Sequence, residues 1–181
     1  PYNWGSDKDI DHDIKDKFPL EDCSVSGIQS EDVFEHLTID DLIPVLNEMY
    51  RILKVGSFIR ISLPDYNSPL LMKRSIYNYN GDVICDTLVG SCVIQEGEVI
   101  GKKGTDGNDH MWFPVLETVY DIIRKSKFND STIKLHHGFI DRYNYICDDF
   151  DNNTYHVTRS PPTDMRNDGQ PVSIIIDLIK E

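Results

Sequence analysis

The sequence predicts an α/β domain built on a parallel sheet. Three observations carry this. Residues 22–65 read as β-rich run, polar corner, amphipathic helix and second β-rich run. A second amphipathic helix follows near residue 115, and the chain closes on the apolar run VSIIIDLI. Helices alternating with strands at these spacings make βαβ units, whose crossover is right-handed.

Upstream, residues 1–8 are polar, with Trp4 the one large anchor. Asp9 to Ile14 alternates isoleucine with acids and reads as a short strand whose end leaves Asp13 facing a ligand. The same residues also read as a solvated acidic segment. Phe18-Pro19-Leu20 packs the next corner.

Val25 to Gln29 is the first strand of the βαβ unit, and Ser30, Glu31, Asp32, Glu35 and His36 crowd just past its end. Ile39, Leu42, Ile43, Leu46, Met49, Tyr50 and Leu53 then share one helical face. Thr38 caps this helix, with Asp41 three residues on and Leu37 and Leu42 as a staple. Pro44 argues for a start at Asp40 or Asp41, where its missing N–H falls near the first turn. Arg51 and Lys54 suit the carbonyl end of the dipole, and Gly56 supplies a left-handed stop. Phe58 to Leu63 is the second strand, closed by Pro64. Ligands of open parallel sheets bind beyond the carboxyl ends of the strands. Two such ends are Ser30–Asp32 and Pro64-Asp65.

After Asp65 the regular pattern stops. Residues 66–110 read as an insertion or lid within one domain of 181 residues, with Asn80-Gly81 and Glu96-Gly97 as turns between short strands. Tyr66, Tyr77, Tyr79, Lys73 and Arg74 suit contact with a sugar or other polar molecule, and equally packing or a dimer contact. His110 precedes the second helix, where Pro114 fits the first position and Val115, Leu116, Val119, Ile122 and Ile123 form the buried face. Ile133, Leu135 and His137 suggest a strand, residues 142–169 are irregular, and Val172 to Ile179 is the last strand.

Composition narrows the classes. A net charge of −13 and a pI near 4.7 repel phosphate backbones, so nucleic acid is not an expected partner. No apolar run approaches a membrane span. The four cysteines form no C-x-x-C pair, which suits free thiols in a reducing cytoplasm rather than a disulfide framework or zinc site. Residues 149–153 start like a calcium loop, but Thr154 replaces the required glycine, so no metal is expected. The sequence starts at Pro1 without Met, which suits either a removed Met or a fragment.

The stretches FPLEDCSVSGIQSEDVFEHL and LNEMYRILKVGSFIRISLPD resemble class I S-adenosylmethionine (SAM)-dependent methyltransferases. The nearest likeness is to the small bacterial type 11-like group found near cell-surface sugar genes. The resemblance implies a Rossmann-like, mostly parallel sheet with an antiparallel last strand. It implies SAM as cofactor, with Asp13 reaching the adenine amino group, Ile14 packing on the ring, and Ser30 and Glu31 alongside. It places Glu35, His36, Tyr66 and His110 toward a small-molecule or sugar-like acceptor. A carboxylate such as Asp32 or Asp65 would take the acceptor proton. For Glu35 and His36, an acid–base pair competes with a structural role, since adjacent residues on a helical turn point apart. His110 likewise reads as a pocket residue or a structural one.

The departures from the family pattern are specific. The G-x-G-x-G turn that holds the methionine end of the cofactor has no counterpart, and GKKGTDG lies in the wrong place. By chain order that turn would precede Pro1, so the expectation is either a chain shown without its first strand or strands, or a reduced relative with an altered cofactor site. Ser26 stands where the family has Asp, Asp32 where it has His, and Lys54-Val55-Gly56-Ser57 replaces Lys-Pro-Gly-Gly. Three readings follow: a methyltransferase, a methyltransferase-fold scaffold that has lost the cofactor, or a subunit completed by another chain, including a homo-oligomer.

Overall fold

The computed structural model describes residues 10–90, 92–96, 98–102 and 109–181. The expected anchor Trp4 and most of GKKGTDG lie outside them. The βαβ unit is β1 (Ile28–Glu31), α1 (Ile39–Ile52) and β2 (Phe58–Pro64). Then come α2 (Pro69–Met72), the paired strands β3 (Ser75–Tyr77) and β4 (Val83–Asp86), and the pair β5 (Cys92–Gln95) and β6 (Glu98–Lys102). The chain ends with α3 (Leu116–Arg124), β7 (Thr132–Phe139), β8 (Tyr145–Cys147) and β9 (Ser173–Ile179).

The central sheet has the order β1-β2-β9-β7-β8. β1 and β2 pair parallel, with Ile28 opposite Ile59 and Glu31 opposite Ser62. β9 runs antiparallel between β2 and β7, so β1, β2 and β7 all point the same way. The antiparallel last strand that the sequence implies is thus inserted at the middle of the sheet.

Thr38 caps α1 as its chemistry dictates: its hydroxyl oxygen accepts the Asp41 amide and its proton goes to the Asp41 carboxylate. The helix begins at Ile39, earlier than Pro44 suggests, so the proline sits inside it. Its missing bond falls on the exposed Asp40 carbonyl, which water can satisfy. α1 and α3 cover one face of the sheet. Leu42, Leu46, Met49, Leu53, Val119, Ile122 and Ile123 meet Ile59, Ile61, Leu63, Ile174, Ile176 and Leu178 in one cluster. Each such side chain contributes about 1.5–3 kcal/mol gross when buried. The buried face of α1 differs from the predicted one at three positions: Val45 and Ile52 are buried, whereas Ile39 is exposed.

The other face is covered by the irregular segment after β8. Arg60 of β2 forms a two-pronged pair with its cross-strand neighbour Asp177 of β9, at 2.8 Å on each prong. Its third nitrogen donates to the carbonyls of Asp151 and Tyr155, and the Phe150 ring lies 4.7 Å from the guanidinium.

Several expectations are corrected. Residues 10–14 form no strand; the alternation of Ile10 and Ile14 reflects Ile14 alone packing on the core, with Asp13 exposed at the start of a turn. The first strand begins at Ile28 rather than Val25, which makes only a single bridge to Leu53. Between them, Gly27 faces the Tyr155 hydroxyl, which stands 1.7 Å from where a Cβ would lie. α1 stops at Ile52, and Gly56, at φ +79°, turns the chain into β2 instead of ending the helix. Pro114 precedes the N-cap Val115 of α3. The four cysteines are not all free: a disulfide joins Cys85 to Cys92, leaving Cys23 and Cys147 as exposed thiols. Among the described residues no helix is long and apolar enough to cross a membrane.

Candidate active site

The carboxyl end of β1 turns sharply. Asp32 takes a left-handed conformation at φ +53°, and its amide still extends the ladder to the Ser62 carbonyl at 3.1 Å. One turn of 3-10 helix follows over Phe34–His36. Two bonds tie it to the segment before α3: the Trp112 indole N–H donates to the Phe34 carbonyl at 2.9 Å, and the Met111 amide to the Glu35 carbonyl at 2.7 Å. Those bonds bring His110 to the polar corner.

The result is a compact cluster. The Glu35 carboxylate is fully buried, and neither oxygen has a hydrogen-bond partner. Nε2 of His36 and Nε2 of His110 each lie 3.9 Å from its Oε1, and the two rings meet edge to face at 5.1 Å. Burial is the main reason the Glu35 carboxyl is pushed up to about 8, and the Asp32 charge adds to it. Burial likewise holds His110 down to about 4, so its imidazole is neutral at pH 7. Behind His110 runs a chain of partners. Its Nδ1 meets the Tyr66 hydroxyl at 2.8 Å, Tyr66 donates to Asp86 at 2.6 Å, and Arg74 pairs with Asp86 at 2.7 Å. Burial, then Asp86, pushes the Tyr66 hydroxyl well above the ordinary tyrosine range.

Asp32 stands at the edge of this cluster. Its Oδ2 pairs with Arg159 at 2.7 Å, while its Oδ1 is buried without a partner. Burial raises its pKa and the Arg159 charge opposes the rise. Tyr66 also lines a cleft of about 680 Å³ together with Asn67, Tyr77, Trp112, Phe113 and Arg142. The cleft and the cluster therefore share one wall.

Asp32, Glu35, His36, Tyr66 and His110 thus come together as the sequence implies. Asp65 does not join them. Its carboxylate is fully buried, with Oδ2 accepting the Phe139 amide of β7 at 2.6 Å and Oδ1 accepting the Asn67 amide at 3.0 Å. It joins β2 to β7 and has no opening to a crevice, which corrects its assignment as a proton acceptor. Glu31 is also engaged: Oε1 accepts the amides of Thr158 and Arg159. Ser30 is buried with its hydroxyl unpartnered. Asp13 is exposed and accepts its own neighbour's amide, that of Lys15. Of the expected acceptor contacts, Tyr77 lines the cleft, Arg74 is paired with Asp86, and Tyr79 is 97% exposed. Asp86, Trp112 and Arg159 also belong to the site and carry no sequence signal of it; Asp86 merely ends a short β-rich run.

No known family profile matches the sequence, and no curated protein does. Solved structures do. A SAM-dependent methyltransferase from Thermotoga maritima has 17% identity and a TM-score of 0.48, covering 93% of this chain and 61% of that one. One from Archaeoglobus fulgidus has 18% identity and a TM-score of 0.44, covering 89% and 62%. One from Methanosarcina mazei has 12% identity and a TM-score of 0.44, covering 93% and 65%. The chain thus spans less than two thirds of the length of each.

Proposed function

We propose that this chain serves SAM-dependent methyl transfer to a small, polar, sugar-like acceptor. The observation that carries the reading is the convergence of Asp32, Glu35, His36, Tyr66 and His110 beyond the carboxyl ends of two parallel strands, beside a cleft of small-molecule size.

The residues fit the cofactor in part. Exposed Asp13 beside half-buried Ile14 offers a carboxylate for an adenine amino group and an apolar face for the ring. The orphaned Ser30 hydroxyl at the tip of β1 suits a polar group of the ligand. Glu31 fits poorly, because loop amides already occupy it. When bound, the cofactor supplies a methyl group on a sulfonium.

The chain's own part is positioning and proton transfer. The aromatic and polar wall of the cleft orients the acceptor, and orientation supplies much of the rate of such a displacement. Asp32 takes the acceptor proton through its free Oδ1, with Arg159 steadying the other oxygen.

Calorimetry with S-adenosylhomocysteine on this chain tests the reading. Saturable binding weakened by Asp13→Ala supports it. Asp32→Asn then leaves that affinity intact and lowers methyl transfer by about 10²–10⁴-fold. Absence of saturable binding at high micromolar ligand instead favours the scaffold.

A further inference from the structure

We propose that Glu35, His36 and His110 bind a divalent transition-metal ion, of the class that takes imidazole and carboxylate ligands. The inference rests on which atoms carry hydrogen. His36 Nδ1 lies 3.0 Å from the Asp109 carbonyl oxygen, which only accepts. That nitrogen therefore bears the proton, and Nε2 presents a lone pair. Asp86 is paired with Arg74, so it is an acceptor, and the Tyr66 hydroxyl donates to it. Having used its proton there, Tyr66 accepts from Nδ1 of His110, and Nε2 of His110 also presents a lone pair.

Both lone pairs face the Glu35 carboxylate. The three candidate ligand atoms all lie within 4.8 Å of one another. The two nitrogen–oxygen separations of 3.9 Å are too long for hydrogen bonds, and neither carboxylate oxygen has a hydrogen-bond partner. Three side chains that each offer one ligand atom therefore converge, two of them buried and the third half-buried. A bound cation would supply the partner that the buried Glu35 carboxyl lacks in this arrangement.

The set of two imidazoles and one carboxylate is that of a catalytic zinc site with an open fourth position. Metal bonds of about 2.0–2.2 Å place tetrahedral ligand atoms roughly 3.3–3.6 Å apart, so small side-chain rotations close the site. The outer shell is in place: each ligating imidazole donates its other N–H, one to a backbone carbonyl and one to the Tyr66–Asp86–Arg74 chain. An ion here would polarise an acceptor oxygen in the adjoining crevice. The site does not depend on methyl transfer, since its ligands are none of the cofactor residues.

Cobalt(II) is the probe, added to chelator-treated protein in a Cys147→Ser background. That background removes a thiol whose sulfur lies 3.8 Å from His137 Nε2 and would compete for the ion. One cobalt per chain is expected, with visible ligand-field bands, no thiolate charge-transfer band, and displacement by one equivalent of zinc. His36→Ala and His110→Ala should each weaken binding by about tenfold or more, and Tyr66→Phe by about tenfold through the outer shell. Should an alanine variant misfold, Glu35→Gln carries the same test with little change of shape. No ligand-field bands at millimolar cobalt, or binding indifferent to Glu35→Gln and His36→Ala, overturns the proposal. Both results are independent of S-adenosylhomocysteine binding, so the two readings fail separately.

Discussion

Tyr66 holds His110 through one contact of 2.8 Å between its hydroxyl and Nδ1. The hydroxyl can do this only because Asp86 takes its proton at 2.6 Å. The orientation of a histidine beyond β2 is thus set by an aspartate at the end of β4.

Asp86 should therefore matter to stability as well as to the site. Its other oxygen accepts the Leu88 and Val89 amides. Asp86→Ala leaves two amides, a buried hydroxyl and the partly exposed Arg74 without their acceptor. The loss should be about 3 kcal/mol in urea denaturation, with part of the Arg74 contribution discounted for its exposure. Asp86→Asn should lose less, because the amide oxygen still accepts.

Arg60 and Asp177 make the second buried network, on the face without helices. His136 Nε2 joins it, 2.9 Å from Asp177. Burial raises the Asp177 carboxyl, but bonds from Arg60 and His136 outweigh it and hold the pKa below the ordinary 3.8. A lowered folded pKa means stability that is present above the unfolded pKa and lost as pH falls through the folded one. Arg60→Met strands a buried carboxylate and should cost about 3–5 kcal/mol at pH 7. The double variant Arg60→Met with Asp177→Leu should recover most of that. Thermal or urea unfolding of the two variants checks it, and equal losses in both would refute the pairing argument.

How much of this was legible in sequence follows from the range of each interaction. Thr38 and Asp41 are three residues apart, and the cap was readable. β2 and β9 were readable because each is a strand-length run dominated by isoleucine and leucine, broken only by Arg60 and Ser62 in β2 and by Ser173 and Asp177 in β9. β1 starts three residues later than Val25 because Val25 bonds to Ile52 and Lys54, at the end of α1, and not to β2. Asp65 looked like a strand-tip carboxylate, and only the arrival of β7 shows that it is sealed. Glu35 and His36 were visible as neighbours. Their meeting with His110 depends on Trp112 and Met111 bonding to the 3-10 turn, which no local pattern records.

The cysteines give a direct count. Cys85 and Cys92 lie seven residues apart with Cα atoms 5.9 Å from each other, bridged between β4 and β5. Alkylation of the unfolded, unreduced protein should label two thiols, Cys23 and Cys147, and reduction should raise the count to four. Mass spectrometry reads this directly. Four labelled thiols before reduction would restore the expectation from sequence.

Asp65 makes the sharpest prediction about pH. Burial pushes its carboxyl up to about 6, against the lowering effect of the Phe139 and Asn67 amides. The folded state therefore binds this proton more tightly than the unfolded state does. Stability contributed by Asp65 is full below the unfolded pKa of 3.8 and is lost as pH rises to about 6. The span amounts to roughly 3 kcal/mol. Asp65→Asn does not titrate. One of its amide hydrogens must face a backbone N–H, a penalty of about 1–3 kcal/mol that is the same at every pH. The other carboxylates cancel in the difference between wild type and variant. Urea unfolding at pH 4 and pH 7 should show the variant markedly worse at pH 4 and nearer to wild type at pH 7. A difference that stays constant between those pH values would mean that Asp65 titrates alike in the folded and unfolded chains, and that its burial does not set its charge.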